Sequence, residues 1–294
     1  MENEGIICGE RSVLRYKKLG SIRGAQDGAI FGGRIFRLDA RGICRIYDLE
    51  RLEELTSFKL DKTEVFCPHS NAVCFGTEYY APGDAYPLLY SNAYNNYSSK
   101  PERMEGTCGV YRITEQADGW HGELVQLIRI GFVSDTLWKS ANVADVRPYG
   151  NLVVDTDTSS LYAFTMRDED RVTRYFRFAL PKAADGVYDD AFGVSVVTLG
   201  KADIRDSYDC PYSIYLQGAC CYGGKLYSTE GFSDDDHPAV IQVIDLAGRK
   251  RFDSYNLRRV GLDIEPEFVS AREDKVYYSD AHGAFFLISI EEKQ

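Results

Sequence analysis

The sequence predicts an all-β protein built from a repeated four-stranded unit, and three observations support this. The 294 residues include 21 Tyr and 15 Phe but only 2 Trp and 3 Met, a composition that favours strands. Apolar and polar residues alternate with a period of two in many segments, as in residues 34–38. One strand–turn–strand pattern also recurs near both ends of the chain. Internal repeats over this length predict a single β-propeller domain, residues 1–294.

The clearest repeat relates residues 26–49 to residues 217–246. Both segments begin with a Gln close to a Gly, pass through a Gly-Gly pair followed by a basic residue, and end a later strand on Asp-Leu. Gly-Gly suits a two-residue hairpin turn because both central residues need positive φ, which glycine adopts without steric cost. Each copy continues into another strand-like stretch, residues 55–60 and 251–257, so each predicts a four-stranded meander.

Degenerate copies of this unit account for the rest of the chain. Their segments are residues 69–76, 87–92, 109–113 and 124–130 for the second unit; 142–150, 152–154, 161–165 and 173–178 for the third; and 267–270, 275–279 and 284–290 for the last. The last unit therefore lacks a fourth strand.

Residues 11–19 precede the first repeat and belong to no unit, so we expect them to supply the missing strand and close the ring. Closure hides the edge strands that an open sheet would expose. Five units give about 59 residues each, more than the roughly 40 to 50 of compact blades. Long loops are expected at residues 76–87, 98–106 and 181–210. The prediction is a five-bladed β-propeller, with a six-bladed ring as the alternative if residues 194–199 belong to another blade.

Charge and hydropathy exclude several classes of protein. Lys plus Arg is 34 against 45 for Asp plus Glu, a net charge of −11 that repels phosphate backbones, so we expect no nucleic-acid partner. No window approaches 18 uninterrupted apolar residues, so no transmembrane segment is expected. The N-terminus lacks the basic and apolar regions of a signal peptide, which predicts a cytoplasmic protein as written, or an exported one if a leader was removed. The oligomeric state stays open.

The eight cysteines indicate neither a zinc site nor a disulfide framework. Cys44 and Cys74 lie inside apolar strand-like runs, where a thiol acts as a small hydrophobe. There is no Cys-x-x-Cys pair, and the adjacent Cys220 and Cys221 point to opposite faces of a strand. Residues 155–159 lack the Gly and Glu of a calcium loop and suit a turn better. We therefore predict no metal, and no cofactor either, because the Gly-rich segments open no helix that would cradle a phosphate.

Polar residues mark the start of the first strand in every unit. In a propeller these strands line the central channel, and loops at one rim build the binding surface. The marking residues are Gln26, Asp27, His69, Asn71, Asp145, Arg147, Gln217, Glu265 and Glu267. We expect a ligand-binding mouth made of Gln26, His69, Asn71, Arg147, Gln217 and Glu267. The alternative is a water-filled structural channel whose polar groups satisfy one another.

A Tyr-rich stretch follows the second unit's first strand. It contains Tyr79, Tyr80, Tyr86, Tyr90, Tyr94 and Tyr97. Each ring offers a flat apolar face with a polar tip, so the group predicts a platform for a sugar or a peptide, and we include Tyr90 among the ligand-binding candidates. Cross-strand packing explains the same tyrosines equally well.

One blade resembles those of the bacterial-type glutaminyl-peptide cyclotransferases. Those five-bladed propellers carry a Gln-Gly pair followed by Leu-Tyr-Glu-Ser-Thr-Gly, and here Gln217 and Gly218 are followed by Leu-Tyr-Ser-Thr-Glu-Gly in residues 226–231. The acidic residue, Glu230, is displaced along the strand relative to that pattern. The resemblance covers about 35 residues and implies a cyclising activity on N-terminal glutamine.

The whole chain more broadly resembles uncharacterised β-propeller proteins of gut anaerobic bacteria. The shared features are the Gln-Gly blade, a His-x-Asn strand at residues 69–71 that ends in a Phe-Gly turn, and a Pro-Leu-Leu-Tyr strand at residues 87–90. This resemblance implies a fold and no particular activity.

The leading functional prediction is binding of a small molecule, glycan or peptide at the polar mouth of the channel. One alternative is a glutaminyl-peptide cyclotransferase-like enzyme with Glu230 or Glu267 as acid and base, His69 as a further catalytic candidate, and Gln217 as an orienting donor. The other alternative is a protein-interaction scaffold, which predicts a broad apolar rim and no deep pocket.

Overall fold

Five β-sheets form the blades of a β-propeller in the computed structural model of this chain. The structure describes residues 4–65, 68–93, 106–132, 151–167, 172–211, 215–273 and 275–293. In these ranges the helical elements are two 3₁₀ turns, Lys201–Asp203 and Leu257–Val260, neither long nor apolar enough to cross a membrane. The innermost strands of the five blades contact one another around the centre, and each is the first described strand of its repeat unit.

The strands follow the predicted repeat. Two precede the first blade, β1 (Glu4–Cys8) and β2 (Ser12–Ser21). The first blade has β3 (Gly28–Phe31), β4 (Arg34–Leu38), β5 (Ile43–Asp48) and β6 (Glu54–Lys59). The second has β7 (His69–Phe75), β8 (Leu89–Ala93), β9 (Thr107–Gln116) and β10 (Gly119–Ile130).

The later blades continue this order. The third has β11 (Asn151–Asp155), β12 (Ser160–Arg167) and β13 (Val172–Ala179), followed along the chain by β14 (Val187–Asp189), β15 (Val194–Leu199) and β16 (Asp206–Pro211). The fourth has β17 (Leu216–Tyr222), β18 (Lys225–Glu230), β19 (Val240–Asp245) and β20 (Lys250–Asn256). The fifth has β21 (Pro266–Arg272), β22 (Lys275–Asp280) and β23 (Ala284–Glu292).

The Gly-Gly hairpins of the first and fourth blades are confirmed. Gly32 and Gly33 have φ of 57° and 74°, and Gly223 and Gly224 have φ of 57° and 70°. A Cβ placed on any of the four meets no atom within 4 Å. Backbone conformation alone, and not lack of space, therefore selects glycine at these turns.

The ring closes as predicted, because β2 pairs with β23 and supplies the fourth strand of the fifth blade. The unpredicted β1 adds a fifth strand outside β2. A buried carboxyl group on β20, Asp253, ties this segment to the fourth blade. It accepts hydrogen bonds from the amides of Glu10, Arg11 and Ser12 at 2.8, 2.9 and 2.8 Å and from the Ser12 hydroxyl, which also contacts the Tyr255 hydroxyl.

The segment 181–210, expected to be a long loop, instead contains two strands, a 3₁₀ turn and the start of a third strand. The six-bladed alternative is wrong, because β15 pairs in parallel with β10 and extends the second blade outward together with β14. The third blade takes β16 as its fourth strand. The predicted opening of the third unit, residues 142–150, lies outside the described residues, and the first described strand of that blade is β11.

The core lies between neighbouring blades, where the apolar faces of adjacent sheets meet. Between the first and second blades, the Phe36 ring packs edge-on against Phe75 and Tyr86 at centroid distances of 5.0 and 5.1 Å. Such T-shaped contacts stabilise aromatic pairs beyond their buried area. Much of the aromatic excess in the sequence therefore serves inter-blade packing.

A fully buried carboxyl group at the centre, Asp27, links the innermost strands of four blades. From the start of β3 it accepts hydrogen bonds from the amides of Val73 at 2.9 Å, Ala219 at 3.3 Å and Val269 at 3.3 Å, which belong to β7, β17 and β21. We call these four residues the central hub. Gly218 fits beside it because a Cβ there would lie 2.5 Å from the Glu267 carbonyl oxygen and 2.9 Å from Asp27. A larger residue would push the innermost strands apart.

Replacing Asp253 by Ala is expected to lower the free energy of unfolding by about 2 to 5 kcal/mol, because it leaves buried donors without partners. Burial raises the pKa of Asp253, but the hydrogen bonds from Ser12 and the adjacent amides outweigh it and hold the pKa below its usual value. The stabilisation is therefore complete above the unfolded pKa of about 3.9 and is lost as the pH falls through the lowered pKa.

Urea unfolding of the wild type and the Asp253→Ala variant at pH 7 and at progressively lower pH measures this. The difference between the two proteins should shrink below about pH 4. The exposed Asp190→Ala variant is the control and should differ from the wild type by less than about 0.5 kcal/mol. A pH-independent difference would contradict the assignment.

Candidate functional site

The innermost strands run in the same direction, so their starts meet at one end of the channel and their ends at the other. The starts surround a cavity of about 220 Å³, which we call the polar mouth. Its lining residues are Gln26, His69, Tyr215, Leu216, Gln217, Phe232, Glu265 and Glu267. The structure thus brings together four residues expected at the mouth, Gln26, His69, Gln217 and Glu267, from the first, second, fourth and fifth blades.

Irregular strand pairing shapes the polar mouth. The register shifts between His69 and Val73 in β7, between Leu216 and Ala219 in β17, and between Pro266 and Phe268 in β21. Such β-bulges redirect side chains and are frequent beside functional sites. Here the same irregularity recurs at the start of three innermost strands, next to His69, Gln217 and Glu267.

Two glutamine–glutamate pairs form the polar wall. Gln26 Nε2 donates to Glu267 Oε1 at 3.2 Å, and Gln217 Nε2 donates to Glu265 Oε1 at 2.7 Å. The Glu267 side chain is only 4% exposed. Among the described residues, Glu267 Oε2 and Gln26 Oε1 are buried acceptors without a hydrogen-bond partner. Buried polar atoms of native proteins are mostly paired, and both of these atoms belong to residues that line the cavity, where a bound donor could pair with them.

Both carboxyl groups bind their protons more tightly than usual. Burial raises the pKa of Glu267 well above its usual value and the charge of Glu265 raises it further, while Arg37 and the hydrogen bond from Gln26 oppose the shift. Burial also raises the pKa of Glu265, against the hydrogen bond from Gln217. Glu267 is the more buried of the two, so the pair offers a carboxylic acid beside a more readily ionised carboxylate.

His69 lines the cavity in an unusual backbone conformation. It and Ser70 have φ of 57° and 58°, a left-handed conformation that non-glycine residues rarely adopt in succession. Strain of this kind is concentrated at functional sites. Burial lowers the pKa of His69 below 6.5, so the imidazole is neutral at pH 7.

Two aromatic residues that sequence reasoning missed complete the wall. The Tyr215 and Phe232 rings meet edge to face with centroids 4.8 Å apart, and the Tyr215 carbonyl accepts a hydrogen bond from the Gly231 amide at 2.8 Å. Tyr215 precedes Gln217 by two positions, and Phe232 directly follows Gly231, whose φ is 92°. The signal that could have identified Tyr215 is its i, i+2 spacing to the candidate residue Gln217.

The other candidates lie elsewhere. Asn71 is buried just inside the mouth, where its Nδ2 donates to the Leu216 carbonyl oxygen at 2.7 Å. Glu230 is not among the described residues lining the polar mouth; it is buried and accepts a hydrogen bond from Gln242 at 3.2 Å. Tyr90 is 1% exposed and belongs to the core, not to an accessible surface.

Arg147 lies outside the described residues, as do Asp145, Tyr94 and Tyr97. Of the other tyrosines in the predicted platform, Tyr79 and Tyr80 are exposed, whereas Tyr86 is buried. The Tyr-rich segment therefore divides between surface and core in its described part.

The strand ends surround a wider cavity of about 600 Å³, which we call the opposite cavity. Its lining includes the thiols of Cys74, Cys220 and Cys221 among apolar side chains. Burial raises the pKa of all three thiols, that of Cys74 to about 12, so they are neutral at pH 7. In the described ranges no group of three or more His, Cys, Asp or Glu side chains is placed to hold a metal ion.

Comparison with known proteins yields weak structural similarity alone. No family model and no curated protein matches the chain. Glutaminyl cyclase from Myxococcus xanthus is 10% identical over 99% of this chain and 97% of its own, with a TM-score of 0.49. Sqt1 from Saccharomyces cerevisiae is 8% identical over 99% and 59%, with a TM-score of 0.38. The computationally designed Ika8 protein is 11% identical over 98% and 80%, with a TM-score of 0.33.

Replacing Glu267 by Gln is expected to stabilise the protein at alkaline pH. Because the folded pKa is raised, the folded state binds the proton more tightly, and stability falls as the pH rises above the unfolded pKa of about 4.3. The variant lacks this loss, so at pH 8 its free energy of unfolding should exceed that of the wild type by about 1 kcal/mol or more. The advantage should vanish towards pH 4.

Urea unfolding at pH 5 and pH 8 tests this, with Glu273→Gln as the control. Glu273 lies at the other end of the same blade's innermost strand, at the opposite cavity, and its side chain is largely exposed. Equal destabilisation of the Glu267→Gln variant at both pH values would show that the carboxyl group has a purely structural role.

Proposed function

We propose that the protein binds a small polar ligand at the polar mouth. The observation that carries this proposal is the convergence of Gln26, His69, Gln217 and Glu267, from four blades, on one cavity that retains unpartnered buried acceptors. A purely structural channel would be expected to pair these atoms with one another, since an unpaired buried polar group costs about 1 to 3 kcal/mol.

The size of the polar mouth limits what it can hold. At about 30 Å³ per water molecule, its volume of about 220 Å³ corresponds to roughly seven waters. That space suits a small metabolite, or one terminal unit of a glycan or peptide whose remainder stays in solvent. The scaffold alternative predicted no deep pocket, and cavities at both ends of the channel favour ligand binding over it.

A thermal-shift screen of small polar metabolites, including monosaccharides, amino acids, amines and dipeptides, tests the proposal. A ligand at about 100 times its Kd should stabilise the folded protein by about 2.7 kcal/mol and raise the Tm by several degrees. The shift should be lost in the His69→Asn variant, chosen because Asn tolerates positive φ. It should persist in the His121→Asn variant, whose site lies on the outer strand β10.

Two results would contradict this proposal. One is the absence of any stabilising metabolite for the wild type. The other is a ligand whose effect is the same in the His69→Asn and wild-type proteins.

A second candidate function is cyclisation of N-terminal glutamine, favoured by the raised pKa of Glu267 beside Glu265 in a substrate-sized cavity. In that reaction the α-amino nitrogen attacks the side-chain amide carbon, the carbon–nitrogen bond to the amide nitrogen breaks, and ammonia leaves. A protonated carboxyl group next to a carboxylate supplies the proton for the leaving ammonia and accepts the one lost by the attacking amine.

Ammonia release from a glutaminyl peptide measures this activity. The wild type should release ammonia, the Glu267→Gln variant should lose about two orders of magnitude or more in rate, and the Glu230→Gln variant should keep its activity because Glu230 is not among the cavity's described lining. No release by the wild type, or loss in the Glu230→Gln variant alone, would rule out the acid–base role of Glu267.

A further inference from the structure

We propose that the polar mouth recognises a primary ammonium group, carried either by a small amine or by the amino terminus of a peptide. This inference rests on the proposed ligand-binding function and specifies its chemistry. Three properties of the lining support it: its hydrogen-bonding groups, its charge and its aromatic rings.

The lining presents buried oxygen atoms that suit a hydrogen-bond donor. The amide groups of Gln26 and Gln217 point donors at Glu267 and Glu265, at 3.2 and 2.7 Å. What remains is Gln26 Oε1 and Glu267 Oε2, both buried and without a partner in the described part of the chain. Glu267 lines the cavity and is only 4% exposed. An ammonium group has three donors and no acceptor, which complements this set.

The charge around Glu267 is predominantly acidic. Glu265 shares the cavity and Asp27 lies behind it, whereas the cation acting on Glu267 is Arg37. Arg37 is not among the described residues that line the polar mouth. Its Nη2 donates to the Ala25 carbonyl oxygen at 2.9 Å and its guanidinium lies 5.0 Å from the Phe268 ring centroid, while its Nε and Nη1 are buried without a partner in the described part of the chain. A bound cation therefore stabilises the ionised form of these acidic groups, and the overall charge of −11 attracts cations to the surface.

The aromatic part of the lining suits the same group. Tyr215 and Phe232 line the polar mouth together with the carboxyl groups of Glu265 and Glu267, and aromatic ring faces attract cations where water is excluded. The imidazole of His69 is neutral, so it adds no positive charge to the lining. Carboxyl groups combined with aromatic rings favour an organic ammonium over Ca²⁺ or Mg²⁺, which prefer an all-oxygen shell.

Isothermal titration calorimetry with two matched pairs of probes tests the proposal. The first pair is n-butylamine and n-butanol, and the second is triglycine and N-acetyltriglycine. In at least one pair, the member with the free ammonium group should bind about tenfold more tightly or better than its neutral counterpart, as expected for a charge-assisted hydrogen bond. The pair that responds identifies the source: butylamine indicates a small amine, and triglycine indicates a peptide amino terminus.

Variants locate the binding. Glu267→Gln and Glu265→Gln should each weaken binding of the ammonium probe by about tenfold or more. The Glu273→Gln variant at the opposite cavity should bind like the wild type. Cation binding favours the ionised form of Glu267, whose pKa burial raises, so titrations in buffers of different ionisation enthalpy should show net proton release. Glu265 and His69 line the same cavity, and Arg37, Asp27 and Asp280 are the other charged groups of this part of the channel.

The outcomes separate this inference from the function on which it rests. Equal binding of both members of each pair, or retention of full affinity in the Glu267→Gln variant, would overturn ammonium recognition while leaving ligand binding intact. Failure of all four probes to bind the wild type would overturn it as well. The metabolite screen with the His69→Asn variant would then decide separately whether the polar mouth binds any ligand.

Discussion

The carboxyl group of Asp27 is the constraint on which the centre of the propeller depends. It joins the innermost strands of four blades through hydrogen bonds from Val73, Ala219 and Val269, and Asp27 itself is fully buried. Each unpaired amide would cost about 1 to 3 kcal/mol, so the three together fix how far these strands slide past one another. Two asparagine side chains extend this arrangement. Nδ2 of Asn71 donates to the Leu216 carbonyl oxygen at 2.7 Å, and Nδ2 of Asn151 donates to the Gln217 carbonyl oxygen at 2.5 Å.

The central hub also determines where the site residues lie. Gln26 directly precedes Asp27, while Asn71, Gln217 and Glu267 each stand two positions before a residue whose amide donates to Asp27. The local register that satisfies the buried carboxyl group therefore sets one polar residue at the start of the innermost strand in each of these four blades. Bulges lie beside three of them, and Gln26, Gln217 and Glu267 line the mouth. At pH values above the unfolded pKa of Glu267, burying its carboxyl group lowers the stability of the folded protein. Destabilising features of this kind are typical of functional sites.

Local signals explain what the sequence predicts well. The Gly-Gly turns and the alternation of residues specify the hairpins of the first and fourth blades, and the unused strand at residues 11–19 identifies the closing strand. The pairing of β15 with β10 was missed, because nothing local encodes a partner some 70 residues away. The polar residues at the starts of the innermost strands identified Gln26, His69, Gln217 and Glu267. The burial of Glu230 and Tyr90 depends on which face of their sheet meets a neighbouring blade, and the sequence pattern does not specify that. Phe232 belongs to a connection between strands, where periodicity gives no guidance.

Native-state hydrogen exchange of the Val73, Ala219 and Val269 amides tests the central claim most directly. If Asp27 binds the innermost strands into one unit, the three amides should exchange only through global unfolding, with the same free energy and the same response to denaturant. Exchange of any of them at a free energy several kcal/mol below that of global unfolding would mean that a blade opens independently at the centre. That result would contradict the account, because the polar mouth would then lack the fixed frame on which its geometry depends.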